Sequence, residues 1–221
     1  MTYFGFLARF LLIPIAILAL LLWRDRRRGT TMPANLRNFP VWAVVLLHVV
    51  IAVVYTTPWD NYLVATEVWW YDVALVTGIT LGYVPIEEYT FFVLQTIMTG
   101  MWLIWLAPRL QRATSWRPSN PLRVIATIVL GIIWLPTVWL LWTGVTPATY
   151  ISLILVWALP PIIIQVAFGV DILWRYRALV LTTILIPTLY LIVADTLAIE
   201  AGTWVISPEQ TTGIHLPGGL P

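Results

Sequence analysis

Apolar positions in this chain do not alternate with polar ones; they run together. Six stretches, at roughly residues 2–23, 40–57, 86–107, 123–143, 148–170 and 178–199, are apolar and almost free of charge. A helix needs about 20 mainly apolar residues to cross the hydrocarbon core of a bilayer. The pattern therefore predicts an all-α, polytopic transmembrane helical bundle. Composition agrees, with 60% hydrophobic and 10% charged residues and a mean hydropathy of +0.88 over 221 residues. A soluble domain carries about 25% charged residues, so that class is excluded.

The connections between the runs differ in charge. Arg24, Arg26, Arg27, Arg28 and Arg37 follow the first run, Arg109, Arg112, Arg117 and Arg123 flank the third connection, and Arg175 and Arg177 follow the fifth run. These alternate loops read as cytoplasmic by the positive-inside rule, which places the N-terminus outside a cell membrane crossed several times. Arg9 lies inside the first run, where snorkelling is its ordinary explanation. The first run is followed, not preceded, by positive charge, so it reads as a retained helix and not a cleaved leader. Asp60, Glu67, Asp72, Glu87, Glu88, Asp195, Glu200 and Glu209 fall in or beside the two long outer segments. There is no Cys, and the two His, His48 and His215, are far apart, so no metal site is expected. His48 reads as a packed core residue. A net charge of +2 carried by Arg at loops does not point to nucleic acid.

A shift of 135 positions superposes the two outer segments. Tyr55 falls on Tyr190, Asp60 on Asp195, Trp69 on Trp204, Thr77-Gly78-Ile79 on Thr212-Gly213-Ile214 and Leu81 on Leu216; with one insertion Pro85 meets Pro221. This predicts a parallel internal repeat: a first copy over 1–107, a basic loop and linking helix over 108–143, and a second copy over 144–221. A site is expected where the halves meet. The second copy stops at its proline, so a seventh span is expected past Pro221.

Tyr83-Val84-Pro85-Ile86-Glu87-Glu88-Tyr89-Thr90-Phe91-Phe92 places two carboxyl groups at the mouth of an apolar helix. Ionisable groups there are costly and are functional by default. Residues four apart share a helix face, so Glu87 lies above Phe91, and Glu88 lies above Phe92 and toward Gln95. A desolvated carboxyl can keep its proton at neutral pH and serve as a general acid, and aromatic faces can stabilise a cation. The same residues also suit an ordinary helix start, since proline and acids favour a first turn. Trp59, Trp69, Trp70, Tyr71 and Trp204 suit an interfacial belt as well as a site. Asp60-Asn61 and Asp195 suit caps at helix exits equally well.

Taken together, Pro58-Trp59-Asp60-Asn61-Tyr62, Trp69-Trp70-Tyr71-Asp72, Gly78 and Pro85-Ile86-Glu87-Glu88 with Phe91-Phe92 resemble the membrane-integral lycopene cyclase family. The later Pro187-Thr188-Leu189-Tyr190, Asp195, Gly202, Trp204, Ile206-Ser207-Pro208-Glu209 and Thr211-Thr212-Gly213-Ile214 look like that family's partner subunit. The chain is thus similar to the fused form, except that its second Pro-x-Glu-Glu helix is missing.

The resemblance implies carotenoid biosynthesis by an isomerase: redox-neutral, acid-catalysed cyclisation of the linear ends of lycopene, or a related carotenoid, to β- or ε-rings. It implies Glu87 and Glu88 as catalytic groups, with Phe91, Phe92, Trp69, Trp70, Asp60, Asn61, Asp195 and Trp204 around the substrate; the helix face that continues from Glu88 to Gln95 puts Glu88 slightly ahead as donor. No cofactor is expected: no Gly-x-Gly-x-x-Gly is present and no strand region is foreseen to carry one. The partners implied are a carotenoid dissolved in the membrane and, for the oligomer, a second copy or a second chain. The runner-up is a carotenoid-binding subunit that needs such a chain for activity. An intramembrane protease lacks a basic residue after the paired glutamates, and a transporter lacks a centrally broken helix apart from Pro160-Pro161.

Overall fold

The computed structural model describes residues 1–37, 39–110 and 117–214. Among these, six helices are long and apolar enough to cross a membrane. They are α1 (Tyr3–Arg27), α2 (Val41–Ala65), α3 (Ile86–Leu110), α4 (Asn120–Thr143), α5 (Thr149–Arg175) and α6 (Arg177–Glu200). Each matches one apolar run. Arg112, His215 and the partners proposed for Leu81 and Pro85, Leu216 and Pro221, lie outside the described residues.

One boundary moves. The second helix was expected to end at residue 57, before Pro58 and Asp60-Asn61, yet α2 continues to Ala65. Pro58 cannot donate to the carbonyl four residues earlier, but side chains hold the surrounding turn. Thr57 Oγ1 donates to the Val53 carbonyl at 2.6 Å, and Asn61 Nδ2 donates to the Thr57 carbonyl at 2.9 Å. Asp60 and Asp195 therefore sit within helices instead of capping them.

Helix α3 is the hub, packed on α1, α2 and α6, while α4 lies along α5. Tyr3, Phe6, Leu7, Leu11 and Leu18 of α1 bury against Met98 and Met101 of α3 and Ala194 and Ala198 of α6. The two alanines stand one turn apart, so α6 can approach closely, as small residues allow between membrane helices. Gly100 does the same for α2 and α3: a Cβ there would meet Val45 Cγ2 at 2.8 Å. Away from these contacts the helices expose apolar side chains, Ile125, Ile128, Ile132 and Trp139 on α4 among them.

The outer segments contain short strands, which the sequence did not lead us to expect. Strand β1 (Trp69–Tyr71) pairs antiparallel with β4 (Trp204–Ile206), while β2 (Thr80–Leu81) and β3 (Val84–Pro85) form a hairpin. In the first pair Trp69 faces Ile206, Trp70 faces Val205 and Tyr71 faces Trp204. Under the 135-residue shift this pairing maps onto itself about Trp70 and Val205. The flanking bonds are exchanged in the same way: Asp72 N–H reaches the Thr203 carbonyl, and Ser207 N–H reaches the Val68 carbonyl. Tyr3 N–H to the Leu75 carbonyl and Tyr150 N–H to the Gln210 carbonyl seat the starts of α1 and α5, on acceptors that are also 135 residues apart.

The bundle has two distinct ends. At one, Met1 and Tyr3 are bonded into the outer segments, with Thr203 Oγ1 donating to the Met1 carbonyl at 2.7 Å. At the other, Arg109 pairs with Asp25 at 2.7 Å. Arg123 grips Asp171 through two bonds of 2.8 and 3.1 Å at that same end.

Candidate functional site: a carboxyl between two cavities

Glu88 occupies the first turn of α3, directly after the β2–β3 hairpin. Its Oε2 accepts hydrogen bonds from two phenols, Tyr3 and Tyr71, the latter at 3.0 Å. Tyr3 is delivered by the buried start of α1, where Thr2 Oγ1 caps Gly5 N–H at 3.2 Å. Tyr71 is delivered by β1, whose pairing with β4 fixes its direction. The phenol rings of Tyr3 and Tyr71 stack, centroids 6.0 Å apart, and Trp204 packs on Tyr3 at 5.2 Å. Burial, followed by the adjacent Glu88 carboxylate, pushes the Tyr71 phenol well above its ordinary value, which keeps it a donor.

Two cavities meet at this carboxyl. The larger, about 710 Å³, is apolar and runs between α2, α3 and α5. It is lined by Trp69, Phe91, Phe92 and Gln95 near Glu88, and by Val45, Gly100 and Leu103 farther along. From Glu88 to Leu103 the helix rises about 22 Å at 1.5 Å per residue, so the cavity is elongated. The smaller chamber, about 150 Å³, lies on the other side of Glu88, between Tyr3, Tyr71, Tyr150, Asp195 and Trp204. Trp69 and Phe91 border both spaces.

Helices α2 and α5 meet along a seam beside the larger cavity. Three aromatic side chains cross that seam. Trp59 stacks on Trp157 with centroids 4.5 Å apart, Trp59 Nε1 donates to the Leu153 carbonyl at 3.0 Å, and Tyr55 donates to the Trp157 carbonyl at 2.8 Å. The same three side chains line a furrow on the outside of the seam.

Of the residues singled out from sequence, Glu88, Trp69, Phe91, Phe92, Asp195 and Trp204 come together around the cavities. Four do not. Glu87 is 0% exposed and turned under the outer loop, where one oxygen accepts the Thr77 N–H at 2.6 Å. Asp60 is likewise sealed, with Oδ1 accepting from Trp69 Nε1 at 3.1 Å. Asn61 anchors the hairpin: its Oδ1 accepts the Tyr83 N–H at 2.8 Å, and its Nδ2 reaches the Tyr89 hydroxyl at 3.0 Å. Trp70 is on the opposite face of β1 from Trp69 and is 39% exposed, because successive strand residues point to opposite sides. His48, read as a core residue, is exposed on the large cavity and bonded to its own helix at the Val44 carbonyl. Tyr3 and Tyr150 were missed, whereas Tyr71 was read as suiting a belt as well as a site. Tyr3 and Tyr150 carry a common signal, each standing at the start of a membrane-spanning helix, α1 and α5.

The geometry supplies an acid, phenols to orient it, and aromatic faces next to an apolar, elongated cavity. That is what protonation of an alkene requires: a proton donor and a shelter for the resulting carbocation.

Comparison with known proteins bears on this geometry. Over 168 residues the chain is 39% identical to the lycopene beta-cyclase of Halobacterium salinarum, covering 76% of this chain and 69% of that protein. Over 220 residues it is 37% identical to the bifunctional lycopene cyclase/phytoene synthase of Phaeosphaeria nodorum, covering 94% of this chain and 35% of that protein. The bifunctional protein of Blakeslea trispora is 35% identical over 173 residues, 74% of this chain and 28% of its own length. No family model matches the chain. No solved structure matches it either.

Proposed function

This chain belongs to the lycopene cyclase family, and from that premise we propose how its residues close the ring. It is a membrane enzyme of carotenoid biosynthesis that cyclises lycopene, a redox-neutral isomerisation. Glu88 is the acid. Its proton adds to C2 of the terminal C1=C2 bond, leaving a tertiary cation at C1. The electrons of C5=C6 form the C1–C6 bond and move the positive charge to C5, and loss of a proton from C6 or C4 gives the β- or ε-ring. Phe91 and Trp69 border the space where the cation forms, and their ring faces are attractive to positive charge.

The elongated cavity holds the polyene, whose rod is comparable with the roughly 30 Å hydrocarbon core. Its end enters the small chamber past Glu88. The substrate arrives sideways from lipid through the α2–α5 seam. Glu87, Asp60 and Asn61 hold the site together from outside it, and Trp70 faces away. The Arg-rich end of the bundle is cytoplasmic, as the positive-inside rule requires, so the N-terminus and the ring-forming end lie outside. Residues 1–107 and 144–221 act as two copies of one unit joined through 108–143, with the chamber between them.

One observation carries this reading: a carboxyl held by two phenols at the junction of an apolar cavity and an aromatic chamber. Expression in lycopene-accumulating cells tests it, with carotenoids separated by chromatography. Cyclic pigment is expected from the wild type and linear pigment from a normally inserted Glu88→Gln chain. Linear pigment from both would instead leave a carotenoid-binding subunit.

A further inference from the structure

The two halves treat one repeated aspartate in opposite ways. In the first half, Trp69 stands nine residues after Asp60 and closes it off, donating its indole N–H to Oδ1. Asp60 has no exposure and borders neither cavity. In the second half, Trp204 stands nine residues after Asp195, but its indole has turned away. It packs against Tyr3 at 5.2 Å and edge-on to Phe6 at 5.0 Å, contacts supplied by the inserted start of α1. Asp195 is left partly open, lining the small chamber opposite Glu88. Among the described residues, no donor bonds to its carboxylate. An unpaired carboxylate facing an aromatic chamber is costly and persists where it has work to do.

We propose that Asp195 is the base that takes the proton released by the ring cation, and so decides where the ring double bond forms. This rests on Glu88 being the acid that starts the reaction. The balance is closed. As the C6–H bond breaks, its electrons complete C5=C6, and the proton joins an Asp195 oxygen. If C4–H breaks instead, the electrons complete C4=C5. Glu88 has by then lost one proton and Asp195 has gained one. The two groups face one space, so the proton passes back across it after the ring withdraws, and no oxidant or co-reactant is consumed.

The test uses the whole chain in lycopene-containing membranes suspended in deuterated water. Ring closure and deuterium in recovered linear lycopene are measured together. With Asp195→Asn, ring formation falls by about 100-fold or more, the scale of general base catalysis, while deuterium still enters the linear pigment, because the first cation forms and reverts. With Glu88→Gln, both signals vanish. Asp195→Glu, which keeps a carboxylate in the chamber, restores ring closure to within about tenfold of wild type. Unchanged rings from Asp195→Asn would overturn the assignment, as would loss of deuterium exchange together with ring closure. A folded Asp195→Glu chain without ring closure would also overturn it. A wild-type chain that neither closes rings nor exchanges deuterium would refute the cyclase reading itself, a different outcome.

Discussion

Tyr190 donates its hydroxyl to the carbonyl oxygen of Phe10 at 3.0 Å, and Phe10 is four residues before Pro14. A proline leaves the carbonyl four residues earlier without its helical donor. The other half repeats the arrangement. Tyr55, which the 135-residue shift places on Tyr190, donates at 2.8 Å to Trp157, four residues before Pro161. Tyr190 and Tyr55 thus each satisfy a carbonyl freed by proline, in α1 and α5 respectively. Trp134 does the same for Val156, four before Pro160, at 3.3 Å.

Removal of the Tyr190 hydroxyl tests this coupling. Tyr190→Phe is expected to cost about 1–2 kcal/mol of stability, the upper range for a polar contact between membrane helices, since lipid offers no substitute donor. Pro14→Ala returns an N–H to the turn, so Tyr190→Phe should cost clearly less in that background. Unfolding in detergent of the two single variants and the double variant measures the interaction. Strictly additive effects would separate the tyrosine from the proline.

The six spans were legible because burial in lipid writes itself as apolar length, and every run became a helix. Tyr55, Asp60 and Trp69 recur at one spacing as Tyr190, Asp195 and Trp204, and the β1–β4 pairing obeys the same shift. The end of α2 was not, because the Thr57 and Asn61 side chains hold the turn around Pro58 and only the folded helix reveals it. Glu87 and Glu88 looked equivalent since adjacent residues on a helix point about 100° apart, and which face meets the cavity depends on packing. Tyr3 was invisible as a site residue because its position comes from threading the N-terminus under the outer segments. Such a contact between distant parts of the chain has no local pattern.

The division between the paired glutamates gives a second prediction. Glu87 contributes an acceptor to Thr77 N–H, and an amide oxygen accepts that bond equally well. Glu87→Gln should therefore keep cyclisation within about tenfold of wild type, whereas Glu88→Gln removes the donor, worth about 10²–10⁴-fold. Pigment analysis of the two chains at matched membrane levels decides the matter. Equal loss in both would mean that the pair acts jointly.

Gly82 and Gly78 allow backbone conformation to be separated from close approach. Both have positive φ, +71° and +78°, where any side chain is strained. A Cβ at Gly78 meets nothing within 4 Å, but one at Gly82 would overlap Asn61 Oδ1, the oxygen that receives Tyr83 N–H. Gly78→Ala should therefore cost about 1 kcal/mol, set by conformation alone. Gly82→Ala adds the clash, so Asn61 must withdraw and the hairpin leading into Glu88 loses its anchor. Its thermal midpoint should fall further than that of Gly78→Ala, and cyclisation should fall with it. Proteolysis within residues 77–85 would rise only in the Gly82 variant. Equal midpoints for the two variants would mean that Asn61 does not fix the hairpin over the acid.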